Sequence, residues 1–268
     1  MALPDDSIYA TLSATQRVWA VGAIRGQTER LEALHTELEK RFERYDRLVY
    51  LGNFLGFGDD VGGTIDELLR FRRTLLARPA MIPADIVFLR GAQEEMWRKL
   101  LELQFAPNPG EVLTWMLDQG VSATLATYGG RPEEGHGRCR EGAMAITRWT
   151  VQLRAAVHDR PGHDELLGAL KRLAFTQGGE LLFVAAGLDP SRPLSEQGDT
   201  LWWGSGYFAA IEAPYANFAR VVRGHDRGQK GLEMGGVTAT LDGGCGFGGN
   251  LNAACFTLDG KPADWIQV

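Results

Sequence analysis

The sequence predicts an α/β fold with one largely parallel half-sheet and a second, more antiparallel sheet. Two observations carry that prediction. Three short apolar runs each end in glycine and lead into a helical pattern, and the last third of the chain carries short apolar runs punctuated by glycine. The first unit is Val18-Trp19-Ala20-Val21, closed by Gly22 and followed by Leu31, Leu34, Leu38 and Phe42 on one helical face. The second is Leu48 to Leu51, closed by Gly52, with a glycine-rich loop before Ile65, Leu68, Leu69 and Phe71. The third is Ile86 to Leu89, with Gly91 and then Met96, Leu100, Leu101 and Leu103. Strand-glycine-helix units in series imply βαβ crossovers and parallel neighbours. From about Glu111 to Leu173 the pattern turns helical and irregular, which predicts a helical cap or insertion over 111–173 with a glycine- and charge-rich loop at Gly129 to Gly142. Leu181 to Val184, Val221-Val222, Val237 to Leu241 and Leu251 to Leu258 supply the strands of the second sheet.

A chain of 268 residues can bury a large core, and a single domain over 1–268 is expected. Its formal net charge of -6 and pI near 5.5 argue against nucleic acid or an anionic membrane as the main partner. Cys139, Cys245 and Cys255 are odd in number and form no CxxC pair, so neither a disulfide framework nor a zinc knuckle is indicated. The first residues include Asp5 and Asp6 and no apolar signal-like run, and no later stretch reaches the length of a membrane span. A cytoplasmic protein with reduced cysteines is the expectation.

In a parallel sheet, ligands gather at the carboxyl ends of the strands, where Ala23, Asn53 and Ala92 fall. The segments there are Gly22-Ala23-Ile24-Arg25-Gly26, Gly52 to Gly58, Gly91-Ala92-Gln93-Glu94 and Val184-Ala185-Ala186-Gly187, with Gly224-His225 further on. In order and spacing they resemble the five signature blocks of the calcineurin-like metallophosphoesterases, in particular the bacterial PPP-type serine/threonine phosphatases: GDxHG, GDxVDRG, GNHE, HAG and GH. Trp115 to Gly120 with Ala123-Thr124-Leu125 and Tyr128-Gly129, Ala186 to Leu194 with Leu201-Trp202, and Asp242-Gly243-Gly244 extend the resemblance over most of the chain. It implies two packed mixed sheets flanked by helices, an αββα sandwich.

The resemblance also implies a site from which the ligands are missing. The metal-holding Asp and His of the first block are Ala23 and Arg25, and the bridging Asp of the second is Asn53. The Asn and His of GNHE, a metal ligand and the general acid, are Ala92 and Gln93, and the His of HAG is Ala185. The phosphate-binding arginines are Phe57 and Gly204, and the Asp that orients the general acid is Gly56. Only His225 persists. Two-metal hydrolysis needs bridging carboxylates to hold two cations and lower the pKa of the attacking water, and bidentate guanidinium contacts to phosphate are hard to replace. No catalytic residue, metal ligand set or cofactor is therefore expected.

Arg25 is a new fixed charge near the first metal position. Either Arg25 and His225 hold a small anion with the amides of the glycine turns, or Arg25 pairs with Glu94, Asp226 or Asp242 and plugs the cleft. The expected function is that of a pseudophosphatase acting through a protein partner. A rebuilt or residual phosphoesterase and a sensor of a phosphate-containing anion are the alternatives. His136, His158 and His163 with Cys139 match no compact zinc pattern. Cys245 has no sequence neighbour to activate it as a nucleophile. Trp202, Trp203, Tyr207 and Phe208 are either packing residues or a partner-binding patch.

Overall fold

A computed structural model describes residues 8–268, which carry eleven strands and a series of helices. The acidic start with Asp5 and Asp6 lies outside the described residues. In chain order the strands are β1 (Tyr9–Leu12), β2 (Arg17–Val21), β3 (Asp46–Tyr50), β4 (Ile86–Phe88), β5 (Leu173–Thr176), β6 (Leu181–Val184), β7 (Arg220–Arg223), β8 (Glu233–Met234), β9 (Thr238–Thr240), β10 (Asn252–Thr257) and β11 (Pro262–Gln267). The helices are α1 (Thr28–Arg41), α2 (Val61–Leu76), α3 (Ala92–Leu101), α4 (Pro109–Met116), α5 (Ser122–Thr127), α6 (Pro132–Glu141), α7 (Ala143–His158), α8 (His163–Gly168), α9 (Thr200–Trp203) and α10 (Ser205–Phe208).

Two mixed sheets result. One has the order β11-β10-β2-β3-β4, with β2, β3 and β4 parallel and the β10-β11 hairpin antiparallel. The other has the order β1-β5-β6-β7-β9-β8, parallel at β6-β7-β9 and antiparallel at β5-β6 and β8-β9. Side chains alternate across each strand, and both faces are covered. Val18, Ala20, Val49 and Leu51 meet Leu181, Phe183, Val222 and Leu241 in a core between the sheets. Trp19, Val21, Leu48 and Tyr50 face the other way, into a core shared with Leu31, Leu34 and Leu38 of α1 and Ile65, Leu68 and Phe71 of α2. This double burial is why the predicted strands are uninterrupted apolar runs. A third cluster, with Leu182, Val184, Leu201, Trp202 and Phe208, covers the outer face of the second sheet.

Two expectations change. The stretch from Gly129 to Gly142 is not a loop: α6 occupies Pro132–Glu141, with Pro132 in its first turn, where a missing N–H costs nothing. Gly135 within it lets helices close up, since a Cβ there would come within 2.8 Å of Leu113 and Trp149. The glycine that suggested a turn is a packing residue. Leu173, taken as the end of the helical stretch, begins β5. The helices from α4 to α8 place Leu113, Trp149, Leu153 and Leu166 in the same core as α1 and α2. β1 and β11, both at sheet edges, lack a long apolar run. β11 buries only Ile266 and leaves Trp265 exposed.

Candidate functional site

Six strands deliver their carboxyl ends to one place. β2 is followed by Ala23 and Arg25, β3 by Asn53, β4 by Ala92 and Gln93, β6 by Ala185, β7 by His225 and Asp226, and β9 by Asp242. Backbone bonds tie the segments together. Ile24 and Arg25 donate to the Asn53 carbonyl at 3.0 and 2.8 Å, Ala23 donates to Gly224 at 3.0 Å, and His225 donates to Ala185 at 2.8 Å. Every predicted site segment is in this cluster.

At its centre Arg25 is 2% exposed and Asp242 is wholly buried. The guanidinium grips the carboxylate with two bonds, Nη1 to Oδ1 at 3.0 Å and Nη2 to Oδ2 at 2.6 Å, and Nη1 also donates to the Cys245 carbonyl at 2.8 Å. His225 Nδ1 lies 2.9 Å from Arg25 Nη2 and 3.0 Å from Asp242 Oδ2. The amides of Asp226 and Gly244 complete the carboxylate's partners at 2.9 and 3.1 Å. Burial by itself would raise the pKa of Asp242, but the bonds from His225 and Arg25 and the Arg25 charge hold it well below the usual carboxylate range. The counter-charge for Arg25 is thus Asp242, and neither Glu94 nor Asp226 pairs with it.

Glu94 and Asp226 have other partners. The Glu94 carboxylate accepts four backbone N–H groups, from Phe54 and Leu55 on Oε1 and from Asn53 and Gly91 on Oε2, at 2.7–3.1 Å. Burial pushes its pKa up, and these amides counter the shift. Asp226 pairs with Arg223 at 3.0 Å and accepts from Ser205 Oγ at 3.1 Å. Arg223 lies over the Phe208 ring at 4.3 Å and is held by the Thr240 hydroxyl and the Ser205 carbonyl. Sequence patterning gave no sign of this Arg223-Asp226-Ser205 group, which joins the end of β7 to the start of α10.

The other candidate positions fit one another. The Gln93 amide accepts the room left by Gly56: a Cβ on Gly56 would stand 2.1 Å from Gln93 Oε1. Gln93 Nε2 donates to the Gln119 carbonyl at 2.8 Å, and its backbone N–H donates to Asn53 Oδ1 at 3.1 Å. The Phe57 ring covers Gly120, where a Cβ would come within 2.7 Å of it, and meets Phe247 edge-on at 4.6 Å. Phe247 in turn lies 5.0 Å from the Arg25 guanidinium carbon. At Gly204 a Cβ would stand 2.4 Å from both the Thr200 methyl and the Thr200 carbonyl, so there is no space for a side chain. Arg25, Asn53 and Phe57 all hold positive φ, at 53°, 56° and 58°. Only asparagine among them tolerates that region readily. The backbone at these three positions holds a strained shape.

Elsewhere, Cys245 is buried, donates to the Ile24 carbonyl and has its pKa pushed up to about 11 by burial, which leaves it unreactive as a nucleophile at neutral pH. His163 is buried between the Tyr128 hydroxyl and Asp66, and His158 pairs with Asp164 on the surface. Trp202 and Phe208 belong to the core, whereas Trp203 and Tyr207 are exposed.

A pair of divalent cations does not fit these residues. Ala23, Ala92 and Ala185 offer methyl groups, Arg25 is itself a cation, Asn53 Oδ1 already accepts an amide, and both Asp242 oxygens are taken by Arg25. Among the described residues no group of three or more His, Cys, Asp or Glu side chains is arranged to hold a metal ion.

No protein-family model and no curated protein matches the chain. Among solved structures it is similar to a candidate diadenosine tetraphosphatase, with 20% identity and a TM-score of 0.60 over 98% of this chain and 97% of the other. It is also similar to a cold-active protein tyrosine phosphatase, with 13% identity and a TM-score of 0.51 over 94% of this chain and 79% of the other. The fold is that of the calcineurin-like metallophosphatases, two mixed sheets packed face to face and flanked by helices.

Proposed function

We propose that this chain is a pseudophosphatase, a metallophosphatase-fold protein that performs no phosphoester hydrolysis and acts by binding a protein partner. The observation that carries the reading is the buried Arg25-Asp242 pair at the place where the resemblance puts a metal ligand. A guanidinium there repels a divalent cation, because unit charges a few ångströms apart interact by about 4 kcal/mol at an effective dielectric near 20. It also occupies both oxygens of the Asp242 carboxylate. His225 alone cannot assemble a centre that activates water. The partner half of the reading rests on the exposed rings beside the cleft segments, Phe57, Phe247 and Trp203, and on Trp115, whose ring lies 6.1 Å from Trp203.

Metal content after incubation with manganese, measured together with p-nitrophenyl phosphate turnover, tests the first half. Less than a tenth of an equivalent of metal (about, by the mismatch of donor set) and no turnover above buffer are expected. One to two bound ions per chain, or turnover abolished by His225→Ala, would overturn it. For the second half, cross-linking in cell extract should yield a defined partner band with the wild-type chain that Phe247→Glu with Trp203→Glu removes. Equal capture by both proteins would argue against these rings as the contact.

A further inference from the structure

Where α3, α7 and α8 meet, on the far side of Glu94 from the Arg25 cluster, lies a cavity of about 630 Å³. Its wall is mostly apolar, with Leu101, Val151, Ala155, Leu167 and Leu170 contributing. That volume and lining are typical of a small-molecule site. Its polar groups are unusual in sign. Arg90, Arg98 and Arg154 all line it. Arg154 has no carboxylate partner among the described residues and bonds only the Leu101 carbonyl, at 2.5 Å. Arg90 has a single long contact, 3.4 Å to Glu95, a carboxylate it shares with Arg98 and Lys99. Arg98 also reaches Glu102 at 3.1 Å.

The acidic side chains on the wall do not cancel this excess. Both oxygens of Glu94 are directed at the four amides already described, and Asp164 is exposed and pairs with His158 at 3.5 Å. Trp97, which also lines the cavity, is 3% exposed, stacks on Tyr128 with ring centres 5.3 Å apart, and has an indole N–H without an acceptor among the described residues.

We infer that this cavity binds a small organic carboxylate with an apolar body. Its carboxylate pairs with Arg154 and Arg90, and its hydrocarbon or aryl part lies against Leu101, Leu167 and Leu170. Guanidinium groups suit a carboxylate because two parallel N–H donors match its two oxygens. The site is independent of whether the Arg25 cleft is inactive, so its test requires no enzymatic activity.

Titration calorimetry with octanoate and 1-naphthoate, using octanol and octyl phosphate as parallel probes, tests the assignment. Saturable binding of one carboxylate per chain is expected, with octanol bound at least about tenfold more weakly, the size of one charge-assisted hydrogen bond. Arg154→Gln should weaken carboxylate binding by a similar factor, and Val151→Trp should block it by filling the mouth. Both positions are exposed, so the variants should fold as the wild type does, which circular dichroism checks. Octanol binding as tightly as octanoate, unchanged affinity in Arg154→Gln, or no saturable carboxylate binding would overturn the inference. Tighter binding of octyl phosphate would replace the carboxylate by a phosphate ester as the ligand class.

Discussion

Glu94, in the first turn of α3, and Asp242, just after β9, are both buried carboxylates, and they are compensated in opposite ways. Glu94 is held by four backbone N–H groups, a solution that depends on loop shape and on no particular side chain. Asp242 is held mainly by the side chains of Arg25 and His225. The Glu94 side of the cleft is scaffold: it pins Gly91 to the loop after β3. The Asp242 side depends on particular side chains. A side chain taken from that side leaves a buried charge, whereas on the other side only proline would remove an amide donor.

The sharpest way to break this contrast is Arg25→Ala. Removing one partner of a buried ion pair costs about 3–5 kcal/mol, so the variant should show a much lower urea midpoint, and a loss below about 1 kcal/mol would mean that the pair is not the central brace. The same substitution carries a pH signature. The folded pKa of Asp242 lies below its unfolded value of about 3.9. Its stabilising contribution is therefore complete above that value and is lost as pH falls through it toward the folded pKa. The stability gap between wild type and Arg25→Ala should shrink below about pH 4, and a gap independent of pH would remove Asp242 from the account.

Glu94→Gln probes the other side. It keeps acceptor oxygen but loses charge on the bonds to Asn53, Phe54, Leu55 and Gly91, and about 1–3 kcal/mol of lost stability is expected by chemical denaturation. Gly56→Ala should cost a similar amount, about 1–3 kcal/mol, from the clash with Gln93 and from positive φ. In a Gln93→Ala background the steric part should vanish, so the double variant should be more stable than the sum of the single effects. Strict additivity would uncouple the two positions. The smallest effect is Phe247→Ala, about 0.5–1 kcal/mol for a ring over a guanidinium at an exposed site.

These contrasts also mark how far patterning carries. The strand-glycine turns at Gly22, Gly52 and Gly91 were legible because a strand buried on both faces must be an apolar run, and the turn after it must let two backbones come close. A Cβ on Gly52 would stand 2.6 Å from the Gly91 nitrogen. That Ala23, Ala92 and Ala185 carry no metal-ligating atom was equally legible, since absence of an oxygen or imidazole is a property of the residue itself. The partner of Arg25 was not. Three carboxylates were available, and the one that pairs lies 217 residues away along the chain. Nor could a glycine that permits close helix packing, Gly135, be told from one that permits a turn.

The sequence by itself determined the alternation of strands and helices, the clustering of the candidate site positions at strand ends and the scarcity of metal-ligating side chains among them, because these follow from side-chain chemistry and short-range periodicity. Tertiary structure alone decided that Arg25 closes on Asp242, that Gln93 fills the space above Gly56, that Phe57 covers Gly120, and that Arg90 and Arg154 line a common cavity. Each of those depends on which distant segments share a buried volume, and a buried charge or donor is settled only by the neighbours that volume supplies.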